Sequence, residues 1–314
     1  MIKNDNIFPI GFIYYFNYVM ISMLVGGNMN IEMEVNDYLL AWYLLYGASL
    51  SKEIDRFKKN LYTKFQKEYN FCYKDRSEII KYGKDFIPDN DILYNAVLES
   101  NLFKSLKKET MHHKMHIEKL WESNKKEINS YLKEVLRISF PKEIRLYIIH
   151  PRLEIIDFLK DYNALIWGSD KDKYDALTVM LMTITKGLLK EKHSNLKNYD
   201  EVFNSVLELA IINEIGKRIS KSYNYELGDP VFKLIKRQIY PFWIMYLGYT
   251  EKETLLNKMI DDRIGFDLDK YPIDKNIKKL NLSQFIDFCA KNSRHILKLN
   301  NIMKIEQEEE IEII

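Results

Sequence analysis

The sequence predicts a mainly α fold with a few short strands, α+β at most, arranged as a compact helical protein of one or two lobes. Apolar residues recur at three- and four-residue steps over most of the chain, which is the period of an amphipathic helix. Glycine and proline are scarce, at 11 and 7 of 314 residues, which disfavours loop-rich sandwiches and barrels. Only two short runs, at residues 144–149 and 164–167, have strand character.

Composition places the chain among folded globular proteins. It is 46% apolar and 29% charged, unlike a disordered chain. The formal net charge of +2 indicates neither a nucleic-acid partner nor an anionic membrane, although residues 301–314 form an acidic tail. The two cysteines, Cys72 and Cys289, form no CxxC pair. They exclude a disulfide framework and a cysteine zinc site, and they favour a reducing cytoplasm. No cofactor is predicted.

The first 28 residues are interpreted separately from the rest. Residues 7–25 are almost continuously apolar, and this is about the length of one membrane span. A proline and a glycine interrupt the run, however, and the Gly-Gly-Asn before Met29 is what a translated ribosome-binding site and spacer would encode. We interpret residues 1–28 as translated upstream sequence. The alternatives are a membrane anchor and a segment of the protein core. A membrane is therefore a partner only if residues 7–25 belong to the protein.

Residues 29–140 are predicted to be a helical N-terminal region. An apolar helix at 38–45 can be capped by Asn36 and Asp37 and should end at Gly47 in the left-handed conformation. A second, amphipathic helix begins at Ser51. Its apolar stripe, which predicts packing on one side only, consists of Ile54, Phe57, Leu61, Phe65 and Tyr69.

Two further helices are predicted at 92–108 and 111–137, and the second contains the only candidate metal ligands. His112 and His116 are one helical turn apart on one face, which is the spacing of helical metal-binding pairs. A closed metal site needs three or four ligands, and lysines crowd this segment. The prediction is therefore a solvated helix face and no metal, with His112 and His116 as the candidates if a site exists.

Residues 141–300 are predicted to be a mostly helical C-terminal region with a short strand element. Strands are expected at 144–149 and 164–167, where the apolar period changes to two or becomes continuous. A short helix is expected between them, from the spacing of Leu153, Ile156 and Leu159. A later helix should kink or split at Pro241, and a last one should cover 283–299.

The helix pair within residues 174–220 carries the sharpest chemical feature. The first helix, 176–190, is apolar nearly all round and should be enclosed on all sides. The second places Glu208 inside an apolar run. Burying a carboxylate there requires a charged partner, protonation or a cavity. Glu208 is thus the candidate acid/base of a hydrolase, with Asn213 or Glu214 lining its cleft. The alternative is a structural ion pair with a lysine or arginine from another segment.

Motifs for nucleotide binding, hydrolase and zinc chemistry are absent from the sequence: it has no GxxxxGK[ST], GxGxxG, GxSxG or HExxH. His150 is predicted to be an ordinary loop histidine, because a catalytic histidine needs a partner that orients it. The chain is therefore predicted to be a non-catalytic binding or regulatory protein. A protein is the possible partner, and no nucleic acid is indicated.

The layout of residues 144–220 resembles the catalytic core of gluzincin-type zinc peptidases. In that family a strand precedes a buried helix bearing HExxH, and a following helix supplies a glutamate as third zinc ligand. The resemblance puts Glu208 at the third-ligand position. Residues 181–188, where the motif should lie, read LMTITKGL. Threonine and lysine cannot replace two imidazoles and a general base, so the resemblance implies a metal-free pseudoenzyme.

Overall fold

A computed structural model describes residues 28–169, 173–189, 199–219, 230–261 and 273–292. Residues 7–25, interpreted as translated upstream sequence or alternatively as a membrane anchor, lie outside these residues, as do the acidic tail and the end of the last predicted helix. Within them the mainly α prediction is confirmed: helices surround one small mixed sheet.

The sheet has four short strands in the order β1-β2-β4-β3. They are β1 (Asn30–Glu34), β2 (Glu143–Ile148), β3 (Ile155–Leu159) and β4 (Ala164–Gly168). Strands β1, β2 and β4 run parallel, and β3 runs antiparallel to β4. The predicted regions 29–140 and 141–300 therefore both contribute strands to one sheet.

Helices of the N-terminal half come before β2. They are α1 (Asp37–Tyr46), α2 (Lys52–Lys64), α3 (Gln66–Cys72), α4 (Arg76–Tyr82), α5 (Ile92–Leu98) and the long α6 (Asn101–Tyr131). Helix α6 continues as a π-helical turn, Leu132–Leu136, and ends at Arg137, whose φ of 52° is left-handed.

Helices of the C-terminal half follow β4. They are α7 (Lys173–Leu189), α8 (Tyr199–Leu207), α9 (Glu214–Ile219), α10 (Lys233–Tyr246), α11 (Lys252–Asp261) and α12 (Leu282–Lys291). A second π-helical segment, Glu208–Asn213, joins α8 to α9.

The sheet separates two hydrophobic cores because its side chains alternate between its faces. On β2, Leu146 and Ile148 belong to the core formed with α7 to α12 and the second half of α6. Tyr147 and Ile149 belong to the core formed with α1 to α5. Both faces are buried, which explains why the predicted strands read as nearly continuous apolar runs.

Two strand predictions were incomplete. The short helix expected around Ile156 is wrong: those residues form β3, whose hairpin with β4 turns at Asn163 with a left-handed φ of 46°. The apolar residues of this segment suit a strand as well as a helix, because several of them are β-branched or aromatic. Pairing with β4 decides in favour of the strand. Strand β1 was missed, because its five residues hold only two inward apolar side chains, Ile31 and Met33.

Three helix details also differ from the predictions. Gly47 ends α1 with an extended backbone (φ −67°, ψ 161°), and glycine is needed because a Cβ would lie 2.6 Å from the Tyr43 carbonyl oxygen. The helix predicted at 92–108 stops at Leu98, since Ser100 caps α6 by accepting the amide of Phe103 at 3.1 Å. Helix α10 runs through Pro241 without a break.

The helix predicted at 176–190 is enclosed over most of its surface. In α7 the residues Ala176, Met180 and Ile184 are buried against the C-terminal core. Val179 and Met182, by contrast, are half-buried. Among residues 176–189 only Lys186 is exposed, because α7 packs on β3, β4, α6, α9 and the π-helical segment. The expectation of an enclosed helix therefore holds for most of its surface.

Candidate functional site

Glu208 lies in the core at the first position of the π-helical segment between α8 and α9. The helical stretch from Tyr199 to Ile219 is continuous, and α6, α7 and α10 pack around it. π-Helical segments inside α-helices are frequent at functional sites, because they displace side chains and free backbone carbonyls. Glu208 is therefore the first position to test for chemistry.

The charge partner of Glu208 is Lys236 on α10. The lysine Nζ lies 2.8 Å from Glu208 Oε2, and the two side chains are 2% and 3% exposed. This contact is an ion pair between α10 and the π-helical segment. The two charges lie in a core of apolar side chains, so the charged partner that the sequence required of Glu208 is a lysine from a distant segment.

Lys236 was not identified from the sequence, although its spacing from neighbouring apolar residues indicated that it is buried. It is four residues before Tyr240, which is buried in the C-terminal core, and four after Phe232, which packs against that core. A residue at that spacing lies on the buried face of a helix. A lysine on such a face requires a carboxylate, and Glu208 was the carboxylate in need of a cation.

The π-helical segment is held by side chains from neighbouring helices. The Tyr131 hydroxyl on α6 donates to the Ala210 carbonyl oxygen at 2.6 Å. The Arg218 guanidinium lies 4.8 Å from the centre of the Tyr131 ring and 3.7 Å from the Glu127 carboxylate. This network satisfies a backbone group that the π-helical geometry exposes, so it stabilises the segment that positions Glu208.

The other two candidate catalytic residues are placed differently. Asn213 ends the π-helical segment and is 1% exposed. Glu214 is half-buried and accepts a long hydrogen bond, 3.5 Å, from Trp243 Nε1. Each of the three residues is therefore engaged by core packing or by a partner on α10, which is the environment of a structural network.

His150, predicted to be an ordinary loop histidine, is instead buried, and both of its ring nitrogens are used. Nε2 lies 3.1 Å from Glu109 Oε2, and Nδ1 accepts the Arg152 amide at 3.1 Å. This fixes the neutral tautomer with the proton on Nε2, donating to the carboxylate. A histidine whose acceptor nitrogen is already occupied cannot act as a general base, so His150 is a structural link between α6 and the turn after β2.

His150 is expected to make the protein less stable in mild acid. Burial, partly opposed by Glu109, lowers the pKa of His150 below its ordinary value. The unfolded chain then binds the proton more readily, so this stability is present above about pH 6.5 and is lost as pH falls below it. We expect His150→Asn, which keeps an acceptor for the Arg152 amide, to flatten the stability profile between about pH 5 and pH 7.

Urea unfolding at several pH values measures this effect. His116→Asn removes a histidine at an exposed site and serves as the control. An unchanged pH slope in His150→Asn would contradict the assignment of acid sensitivity to His150.

The candidate metal ligands His112 and His116 are exposed on α6. Among the residues that the structure describes, no group of three or more His, Cys, Asp or Glu side chains could hold a metal ion.

A surface groove among the described residues is lined by aromatic and basic side chains, and we call it the Trp42 groove. It has a volume of about 270 Å³, and its lining is Trp42, Tyr73, Lys74, Arg76, Ser77, Ile80, Leu159 and Tyr162. The floor is Trp42, which is 7% exposed, whereas Tyr73 at the rim is 63% exposed. The groove lies where α1, α4 and the turn between α3 and α4 meet the end of β3.

Arg76 in this groove is held rigidly from three sides. Its Nε donates to the Tyr43 hydroxyl at 2.8 Å, and its Nη2 donates to the Asp157 carboxylate at 2.6 Å. The guanidinium also lies 5.7 Å from the centre of the Trp42 ring. These two bonds use two of the five N–H donors of an arginine. The side chain is therefore oriented in advance, with donors left for a further partner.

Comparisons with known proteins identified no relative of this chain. No protein-family model matches the chain, and searches of curated proteins and of solved structures found no match either. No helix among the described residues is long and apolar enough to cross a membrane.

Proposed function

We propose that this chain is a non-catalytic binding protein that recognises a partner polypeptide through the Trp42 groove. The observation that carries the non-catalytic part is the contact between Glu208 and Lys236. A carboxylate that is 3% exposed and 2.8 Å from an ammonium group is not free to exchange protons with a substrate. The sharpest sequence argument for a hydrolase thus loses its support.

The groove supplies the binding part of the proposal. Trp, Tyr and Arg are the residues that most often dominate binding energy at protein interfaces, and here all three line one concave surface. Tyr73 offers exposed aromatic area, and Arg76 is already oriented by Tyr43 and Asp157. A preoriented side chain loses little conformational entropy on binding. Lys74 adds a positive charge at the exposed rim.

The partner segment should combine a carboxylate with an aromatic or aliphatic side chain. The remaining donors of Arg76 and the ammonium of Lys74 fit a carboxylate, whereas Tyr73, Leu159 and Tyr162 fit an apolar side chain. Selection of a random peptide library on the full-length protein tests this expectation. We expect the selected peptides to share an acidic residue close to an apolar one.

Replacing Tyr73 with alanine is expected to lower the affinity for the selected peptides about tenfold or more, which is the size of a hot-spot loss. Tyr249→Ala is the matched control, because Tyr249 is an exposed tyrosine on the C-terminal half of the chain; its removal should leave affinity unchanged. Isothermal titration with one selected peptide measures both. Failure to select any peptide, or equal affinity for the Tyr73→Ala variant, would refute the proposed groove.

The peptidase resemblance enters the same proposal as a metal-free pseudoenzyme. Two features support it: residues 181–188 lack histidine, and the glutamate at the third-ligand position is paired with a lysine ammonium. The Lys236 ammonium group would then balance the charge of Glu208, which a zinc ion balances in the peptidases.

We also place the protein in the cytoplasm as part of this proposal. Both cysteines are free and buried, as expected for a chain in a reducing compartment. Burial raises the pKa of the Cys72 thiol to about 12, so its reactive thiolate form is suppressed.

A further inference from the structure

Strand β3 forms one edge of the sheet, directly beside the Trp42 groove. The strand order places β4 on one side of β3 and no strand of the described residues on its other side. Two residues of β3 take part in the groove. Leu159 lines it, and the Asp157 carboxylate accepts a hydrogen bond of 2.6 Å from Arg76. The edge of the sheet and the groove are therefore one continuous surface.

The hydrogen bonds of β4 determine which backbone groups of β3 point outward. The carbonyl oxygens of Asn163 and Trp167 accept bonds of 3.0 and 2.7 Å from amides of β2 and its following residue. Because successive residues of a strand point their backbone groups to opposite sides, the even-numbered residues of β4 face β3. In the register of this pair they lie opposite the first, third and fifth residues of β3. The second and fourth, Ile156 and Phe158, therefore direct their N–H and C=O groups away from the sheet.

These outward groups are accessible to a further strand. Within the part of the chain that the structure describes, the outward N–H and C=O groups of Ile156 and Phe158 make no backbone hydrogen bond. All five residues of β3 are half-buried, whereas all five of β4 are buried. An edge strand with such unpaired groups is a template for pairing with another extended chain. The two residues together offer two donors and two acceptors.

We propose that the partner polypeptide of the Trp42 groove binds as an extended strand paired with β3. This inference rests on the proposed function, since it assigns a conformation to the same partner. In this mode of recognition the main-chain hydrogen bonds supply affinity, and alternate side chains in pockets supply specificity. Here Ile156 and Phe158 make the main-chain bonds, and the groove receives the alternate side chains.

Strand pairing sets the spacing of the two recognised side chains. Neighbouring strands lie about 4.8 Å apart, and side chains opposite each other project on the same face. The partner residues opposite Asp157 and Leu159 both project on the groove side, two positions apart. A carboxylate opposite Asp157 takes the remaining donors of Arg76, which then bridges two carboxylates. An apolar side chain opposite Leu159 packs beside it and Tyr162. The recognised motif is thus an acidic and an apolar residue separated by one residue.

Backbone N-methylation along one peptide selected on the full-length protein tests the pairing. N-methylation removes an N–H donor and leaves the side chain unchanged. We expect two amides, separated by one residue, to lose affinity about tenfold when methylated, because each donates to β3. Methylation of the amide between them should leave affinity unchanged, since that amide faces away from the sheet. Isothermal titration measures each peptide.

Amide hydrogen exchange, followed by NMR, tests the same bonds from the protein side. The Ile156 and Phe158 amides should exchange readily in the unbound protein and about tenfold more slowly at a peptide concentration of ten times Kd. The control is the opposite edge of the sheet. The Asn30 amide donates to the chain before β2, so the amides of Ile31 and Met33 point outward there, and the peptide should not change their exchange.

Three results would overturn strand pairing while leaving the groove in place: equal losses from methylation at adjacent amides, protection of the Ile156 and Phe158 amides already in the unbound protein, or selected peptides in which the acidic and apolar residues share no spacing of two. Failure to select any peptide would instead refute the groove itself, and the paired strand with it.

Discussion

Replacing Lys236 with methionine is expected to lower the free energy of unfolding by about 3–5 kcal/mol, because it removes the ammonium group that pairs with the buried Glu208 carboxylate. Methionine keeps the length and apolar character of the lysine stem, so the change isolates the loss of charge. Both side chains are almost fully buried, at 2% and 3% exposed, so water cannot take the place of the ammonium group. Urea unfolding at neutral pH, followed by circular dichroism, measures the effect.

Lys275→Met is the matched control, because Lys275 pairs with Glu251 at the surface, with the two side chains 62% and 68% exposed. Removing one partner of an exposed pair costs about 0–1 kcal/mol. If Lys236→Met proved as mild as this control, Glu208 would have to be solvated or compensated by another group.

Truncation of Trp167 to alanine is expected to cost about 3–5 kcal/mol. Trp167 is fully buried on β4, where it belongs to the C-terminal core. Its removal leaves a cavity between the sheet and the helices that pack on it. Thermal or urea unfolding of the purified variant gives the change directly.

Trp167→Phe separates ring packing from the indole nitrogen. Trp167 Nε1 is buried and makes no hydrogen bond among the described residues. Phenylalanine keeps most of the ring and removes a buried donor that costs free energy when it has no partner. We expect Trp167→Phe to cost much less than Trp167→Ala. Equal losses in the two variants would show that the indole nitrogen contributes to stability after all.

The helical part of the fold could be predicted from the sequence because its signals are local. Two examples are the apolar stripe of α2 and α3 and the capping of α1 by Asn36, whose side chain accepts the Leu39 amide at 3.0 Å. Both depend on residues that are a few positions apart. Strands β1 and β3 could not be recognised with the same certainty. Their identity is decided by pairing with β2 and β4, and the register of β1 joins Ile31 to Ile144 across more than one hundred residues.

The candidate site shows the same division between local and distant information. The burial of Glu208 follows from its apolar neighbours in the sequence, but its partner lies on a different helix. The Trp42 groove could not be predicted at all, because the Arg76–Asp157 contact joins residues 81 positions apart. For Glu208 the sequence indicated that the group needs a partner, and tertiary packing determined that Lys236 provides it.

A double-mutant cycle on Glu208 and Lys236 tests the central claim, that the Glu208 charge is structural, most directly. We expect Glu208→Met and Lys236→Met each to destabilise the protein by about 3–5 kcal/mol, because each leaves one buried charge uncompensated. The double variant should recover most of that loss, since it replaces a buried ion pair with apolar side chains of similar volume. An increase in stability for Glu208→Met alone would contradict the claim, because that is the behaviour of a strained catalytic group.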